Sequence, residues 1–236
     1  MPVGKAKRIK QRRPSPSTRR TVVIDACMIG HLDGMLTARV AESQADSPVN
    51  LAVPANTAAS LVERLRLASI DTEENYWQVT RHALHGTTPG DGDAASAAIR
   101  KFLLKQNWQS VIARVPASPE QIFLVSHVGH VGLVAPPPFT DQRSLLIFDP
   151  MQLRRLGPAL QTAIANAHAD PTAGAVTPAA VAAVVDFLKA EPWETDHHPE
   201  PSFEQARAEM QKRYRAFLTR EPYVRPDEHN VPEVAQ

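Results

Sequence analysis

The run Thr21-Val22-Val23-Ile24-Asp25-Ala26-Cys27 constrains the fold more than any other part of the chain. Its three consecutive β-branched aliphatic residues, Val22-Val23-Ile24, are stiff in a helix and pack well on a pleated surface. The run is unbroken rather than alternating, the mark of a strand covered on both faces. In open α/β sheets, ligands lie beyond the carboxyl ends of the strands, and Asp25 stands at that end. Its carboxylate is therefore a metal or substrate ligand, or the N-cap of the next helix.

Two further runs have the same character: Ile122-Phe123-Leu124-Val125-Ser126, and Ser144-Leu145-Leu146-Ile147-Phe148 followed by Asp149-Pro150. Asn50 to Pro54 reads as a shorter strand. Between these strands the periodicity is helical. Met28, Ile29, Leu32, Met35, Leu36 and Val40 predict a helix over 28–42, and two more are expected over 57–69 and from Asp71 or Thr72 to Leu84. Asp91 or Asp93 would cap a fourth, reaching Gln106. Strands alternating with helices predict an α/β fold, a parallel sheet covered by helices, over residues 21–155. Beyond it, alanine-rich stretches at 153–168 and 178–190 and the amphipathic segment 203–219 predict a helical extension over 156–236. Thr177 before Pro178 is an N-cap followed by proline at the first helical position. The apolar face of 203–219 offers a surface for a protein partner.

The formal net charge of +1 conceals an asymmetry. Residues 1–20 carry Lys5, Lys7, Arg8, Lys10, Arg12, Arg13, Arg19 and Arg20 and no acid, leaving 18 basic against 25 acidic side chains in the remainder. With Pro14, Pro16 and few apolar residues, this basic N-terminal arm is expected to be disordered in isolation. Its charge density fits an RNA or ribonucleoprotein partner reached by counterion release. The same composition also fits a mitochondrial presequence, a nuclear import signal, a bacterial secretion leader or a solvated tail. A single cysteine excludes an internal disulfide and any zinc site of several thiolates, in keeping with an intracellular reducing compartment such as the mitochondrial matrix. No apolar run approaches the ~20 residues of a membrane span, so no membrane insertion is expected. No glycine loop of the nucleotide-binding kind is present.

Val22-Val23-Ile24-Asp25-Ala26-Cys27-Met28-Ile29 resembles the opening strand of PIN-domain proteins. Asp93-Ala94-Ala95-Ser96-Ala97-Ala98-Ile99 resembles that family's later acidic helix, and Ile122 to Ser126 its third strand. The resemblance implies a carboxylate cluster and metal-dependent ribonuclease activity. Asp25 and Asp93 would then be catalytic residues and ligands for Mg²⁺ or Mn²⁺, with Glu63 as the helix-borne acid. Where the family has an acid after the third strand, this chain reads His127-Val128-Gly129-His130. Histidine is a poor ligand for hard Mg²⁺. The resemblance therefore points to a structural or assembly component of a ribonucleoprotein with a degenerate nuclease site, or to a metal-dependent ribonuclease.

Gly129-His130-Val131-Gly132-Leu133-Val134, with Leu146-Ile147-Phe148-Asp149-Pro150, resembles a second family, the papain-like cysteine proteases. In that pattern a histidine opens one strand and an aspartate closes the next. Cys27 would be the nucleophile, His130 its base and Asp149 the residue orienting the imidazole. The two resemblances make incompatible demands on the first strand: one uses Asp25, the other Cys27.

Overall fold

The structure, a computed structural model, describes residues 20–42, 47–83, 85, 92–118, 120–171, 173–192 and 203–219. Within them the chain forms an α/β fold with two sheets. It opens with strand β1 (Arg20–Val23), then β2 (Ala26–Leu32), β3 (Met35–Ala41) and β4 (Val49–Pro54). Helix α1 (Ala55–Ala83) and helix α2 (Gly92–Leu104) come next. They are followed by β5 (Val111–Val115), β6 (Ile122–His127), β7 (His130–Ala135) and β8 (Ser144–Phe148). Helices α3 (Pro150–His168), α4 (Pro178–Ala190) and α5 (Phe203–Thr219) complete the order.

The expected parallel sheet is corrected to a mixed one. The five-stranded sheet runs β1-β8-β7-β6-β5, and only β1 and β8 are parallel within it. The other neighbours, β5 to β8, form an antiparallel meander whose loops are too short for the crossover that parallel neighbours need. A second, three-stranded antiparallel sheet runs β2-β3-β4.

That second sheet replaces the helix expected over 28–42. Leu32 pairs with Met35 across a two-residue turn, Asp33-Gly34, with φ 48° and 71°. Positive φ at both central residues is the hairpin turn that matches strand twist, and Asp-Gly is among its preferred sequences. Gly30 and Gly34 would each weaken a helix by ~1 kcal/mol, whereas the turn uses Gly34. The two helices expected between 57 and 84 are one, α1, whose 29 residues span about 44 Å.

Side-chain alternation divides the interior. On one face of the five-stranded sheet Val22, Leu124, Val131, Leu133, Leu146 and Phe148 join a large core with the second sheet, α1, α3 and α4. On the other face Val125, Val134, Leu145 and Ile147 pack with Leu103 of α2 and Trp108. Each large apolar side chain so buried contributes about 1.5–3 kcal/mol. Helix α5 lies on α4, with the rings of Tyr214 and Phe217 5.3 and 5.6 Å from that of Phe187. The aromatic face expected to serve a partner thus meets the chain's own α4. No helix among the described residues is long and apolar enough to cross a membrane.

Candidate active site

The ends of β1 and β8, the start of β7, α1 and α2 enclose a cleft of about 540 Å³. Asp25, Tyr76, Ser96, Arg100, His130, Asp149 and Gln152 supply its polar lining. Three hydrogen bonds hold its floor. The amide of Ile24 donates to the carbonyl of Ile147 at 3.1 Å, extending the parallel ladder. The Gln152 side chain donates to the Ile24 carbonyl at 2.7 Å and accepts from the Asp149 amide at 3.1 Å. The carboxyl ends of β1 and β8 are thereby fixed to the first turn of α3.

His130 and Asp149 come together through strand register. Val131 pairs with Phe148, so one step further along the ladder His130 stands opposite Asp149 on the same face. Tyr76 of α1 joins them. Its hydroxyl donates to Asp149 Oδ2 at 2.7 Å, and its ring meets the imidazole edge-on at 5.3 Å. Asp149 Oδ1 accepts from the Met151 amide at 2.6 Å, in a capping box with Gln152. Both carboxylate oxygens are thus engaged, one by the helix N-terminus and one by Tyr76. Burial, then the hydrogen bond to Asp149 and its charge, push Tyr76 up to about 12, which keeps the phenol protonated at neutral pH.

The imidazole of His130 is set by the turn before it. Nδ1 lies 3.0 Å from the carbonyl of Val128. A carbonyl only accepts, so Nδ1 carries the proton and the neutral ring presents Nε2 as an acceptor. Burial pushes His130 below its ordinary value, against the opposing pull of the Val128 carbonyl and the Asp149 charge. The ring is therefore neutral at pH 7. Val128 and Gly129 form this turn with φ 46° and 74°. A β-branched residue in the left-handed region costs about 1–3 kcal/mol, a cost met most often at functional sites.

Cys27 does not join this pair. It lines a small apolar cavity with Leu133, Leu146, Phe148 and Leu153, on the opposite face of the five-stranded sheet from the cleft. Burial there pushes its thiol up to about 11, away from the thiolate a nucleophile needs. Asp25 lines the cleft at the bend where the chain passes from one sheet to the other; it caps no helix, because a strand follows. The cap is Asp149. Helix α2 reaches the same cleft through Ser96, Ala97 and Arg100. The Asp93 side chain itself lies outside the described residues. Glu63 is exposed on α1, paired with Arg66 at 2.8 Å, and faces a separate groove against α3. Among the described residues no three His, Cys, Asp or Glu side chains are arranged to hold a metal.

Residues 1–19, with seven of the arm's eight basic side chains, lie outside the described residues. Arg20 belongs to β1, and its guanidinium donates to the carbonyls of Ser47 and Pro48 at 2.5 and 3.4 Å. Tyr76 and Gln152 were missed in the sequence. Asp149-Pro150-Met151-Gln152 carries a capping-box spacing that could have revealed Gln152; one tyrosine on a long helix carries no such signal.

No family model, no curated protein and no solved structure matches this chain.

Proposed function

We propose that the chain is a hydrolase acting on an ester or amide, with His130 as the general base. The observation that carries this reading is the fixed tautomer. Nδ1–H is held by the Val128 carbonyl, so Nε2 can take a proton from a nucleophile in the cleft. The low basicity of the ring keeps it in the accepting form at neutral pH. With Cys27 across the sheet, the nucleophile is water: His130 removes its proton as the oxygen attacks the carbonyl carbon, and returns that proton to the leaving group. Arg100 is ion-paired with Glu42. An uncharged acyl group therefore suits the cleft better than a phosphodiester. Asp149 and Tyr76 frame the imidazole.

The test is a panel of activated esters, peptide anilides and a bis-aryl phosphodiester. Acyl hydrolysis should fall by about 10²–10⁴-fold in His130→Ala and persist in Cys27→Ala. Equal rates in His130→Ala and wild type, or loss of activity in Cys27→Ala, would sink the proposal. A second reading rests on charge. The eight basic side chains of residues 1–20 favour RNA or a ribonucleoprotein as partner, whatever the cleft does. Deleting residues 1–19 should then abolish salt-sensitive RNA binding while His130→Ala leaves it intact; the reverse result would remove this reading.

A further inference from the structure

We propose that Tyr76 and the turn Val128-Gly129 form a single positioning device for His130, and that this device, not Asp149, sets the imidazole tautomer. The inference rests on the reading of His130 as a base, because it explains how that base acquires its orientation. Three contacts of one helical residue carry it. The first is made by backbone. A Cβ on Gly129 would stand 2.4 Å from the Cα of Tyr76 and 2.5 Å from its nitrogen, so turn and helix touch where only glycine allows it. The second is the edge of the phenol ring on the imidazole, 5.3 Å between centroids. The third is the hydroxyl on Asp149 at 2.7 Å.

The geometry divides the labour differently from a Ser-His-Asp arrangement, in which the carboxylate accepts the Nδ1 proton. Here the Nδ1 proton goes to the Val128 carbonyl, two residues away, at 3.0 Å. That carbonyl points at the ring because Val128 and Gly129 both hold positive φ. The turn in turn lies under the α1 backbone at Asn75 and Tyr76. Asp149 is occupied by the Met151 amide and the Tyr76 hydroxyl. It acts on the imidazole by its charge and through Tyr76.

The ring nitrogen ¹⁵N shifts of His130 test this without any substrate, so this inference and the hydrolase reading can fail separately. Above the titration of the ring, the wild type should show Nδ1 protonated and Nε2 bare. Asp149→Asn keeps an N-cap of equal quality and should retain that pattern. Gly129→Ala should shift the ring toward the Nε2–H form preferred by a free imidazole. Should Gly129→Ala not fold, Tyr76→Ala serves in its place, removing ring and hydroxyl but leaving the glycine contact. There the pattern should weaken, and Tyr76→Phe, which restores the ring edge, should rescue it. Loss of the Nδ1–H form in Asp149→Asn, or its full retention in both Gly129→Ala and Tyr76→Ala, would overturn the inference.

Discussion

Replacing Gly129 by alanine should destabilise the protein more than the same change at any other described glycine in a strand or hairpin. Two costs add at this position. A φ of 74° places an L side chain in the left-handed region, at about 1–2 kcal/mol. The new methyl would also stand 2.4 Å from the Tyr76 Cα, and a helix backbone cannot rotate aside as a side chain can. Overpacking of this kind costs about 1–3 kcal/mol, so the total is about 2–5 kcal/mol. Gly132, three residues on, isolates the second cost. Its Cβ would meet Val125 Cγ2 at 2.6 Å and Leu145 Cδ1 at 2.8 Å, both movable, and a loss of about 1–2 kcal/mol is expected. At Gly30 the nearest atom is Thr37 Oγ1 at 3.3 Å, and alanine should be within about 0.5 kcal/mol of neutral, since it removes the entropic cost of a strand glycine. Urea unfolding at matched m-values measures the series. For a chain of this size each kcal/mol is about 2–4 °C in Tm, so Gly129→Ala should melt roughly 4–20 °C below wild type. If it melts with Gly30→Ala, the close approach of turn and helix is not a feature of the folded protein.

Asp149→Ala should cost about 2–3 kcal/mol, from a lost N-cap and the loss of the Tyr76 hydrogen bond to a charged acceptor; Asp149→Asn should recover most of it in the same urea titration. On the acid side, His130 is pushed below its ordinary value by burial, so the unfolded chain binds the proton more readily. Its contribution is complete above pH 6.5 and is lost as pH falls toward the folded value, and His130→Gln should flatten that part of the stability–pH curve. The alkaline side has the opposite sign. Cys27 rises from 9.0 to about 11 on folding, so stability is present below pH 9 and is lost as pH rises through 11, by at most about 2–3 kcal/mol. Cys27→Ala should remove that loss. The same shift leaves the thiolate about 100-fold scarcer at neutral pH than in an ordinary cysteine. Iodoacetamide should therefore label the native protein at least that much more slowly than the urea-unfolded chain; equal rates would show that Cys27 is accessible and ionised.

Much of the strand framework is legible because it depends on local pattern. β1, β4, β6 and β8 are short apolar runs bounded by proline, glycine or charge, and such runs can hardly be anything else. α4 is announced by Thr177-Pro178, and the Thr177 side chain accepts from the Ala180 amide as an N-cap should. The β2–β3 hairpin was hidden by an ambiguity of period. Met28, Leu32, Met35 and Leu36 fit a helical stripe, and the same residues fit two strands once Asp33-Gly34 is read as the turn. Strand direction was legible only for the parallel pair β1 and β8. Alternation of strands and helices predicts parallel neighbours, but that rule assumes a crossover between successive strands, and none separates β5, β6, β7 and β8. In the site, His130 and Asp149 were readable as a histidine opening one strand and an acid closing the next. Tyr76 was not, because its partners lie 54 and 73 residues away in sequence and only the path of α1 brings them together.

The conflict between Asp25 and Cys27 has a geometric origin. Within one strand, residues two apart share a face, so a single strand would turn both side chains toward the same site. The chain does not continue as one strand. Ile24 donates to Ile147 of the five-stranded sheet, and the very next amide, that of Asp25, donates to Ala41 of the other sheet. The strand changes sheets at Asp25, and the alternation restarts there. Asp25 is left at the bend, lining the polar cleft, while Cys27, now in β2 opposite Val40, turns into the apolar core between the sheets. A thiol in that core and an imidazole in the cleft lie on opposite faces of the five-stranded sheet. The switch of sheets thus keeps Cys27 away from His130, which leaves water as the nucleophile of the hydrolysis proposed for this cleft.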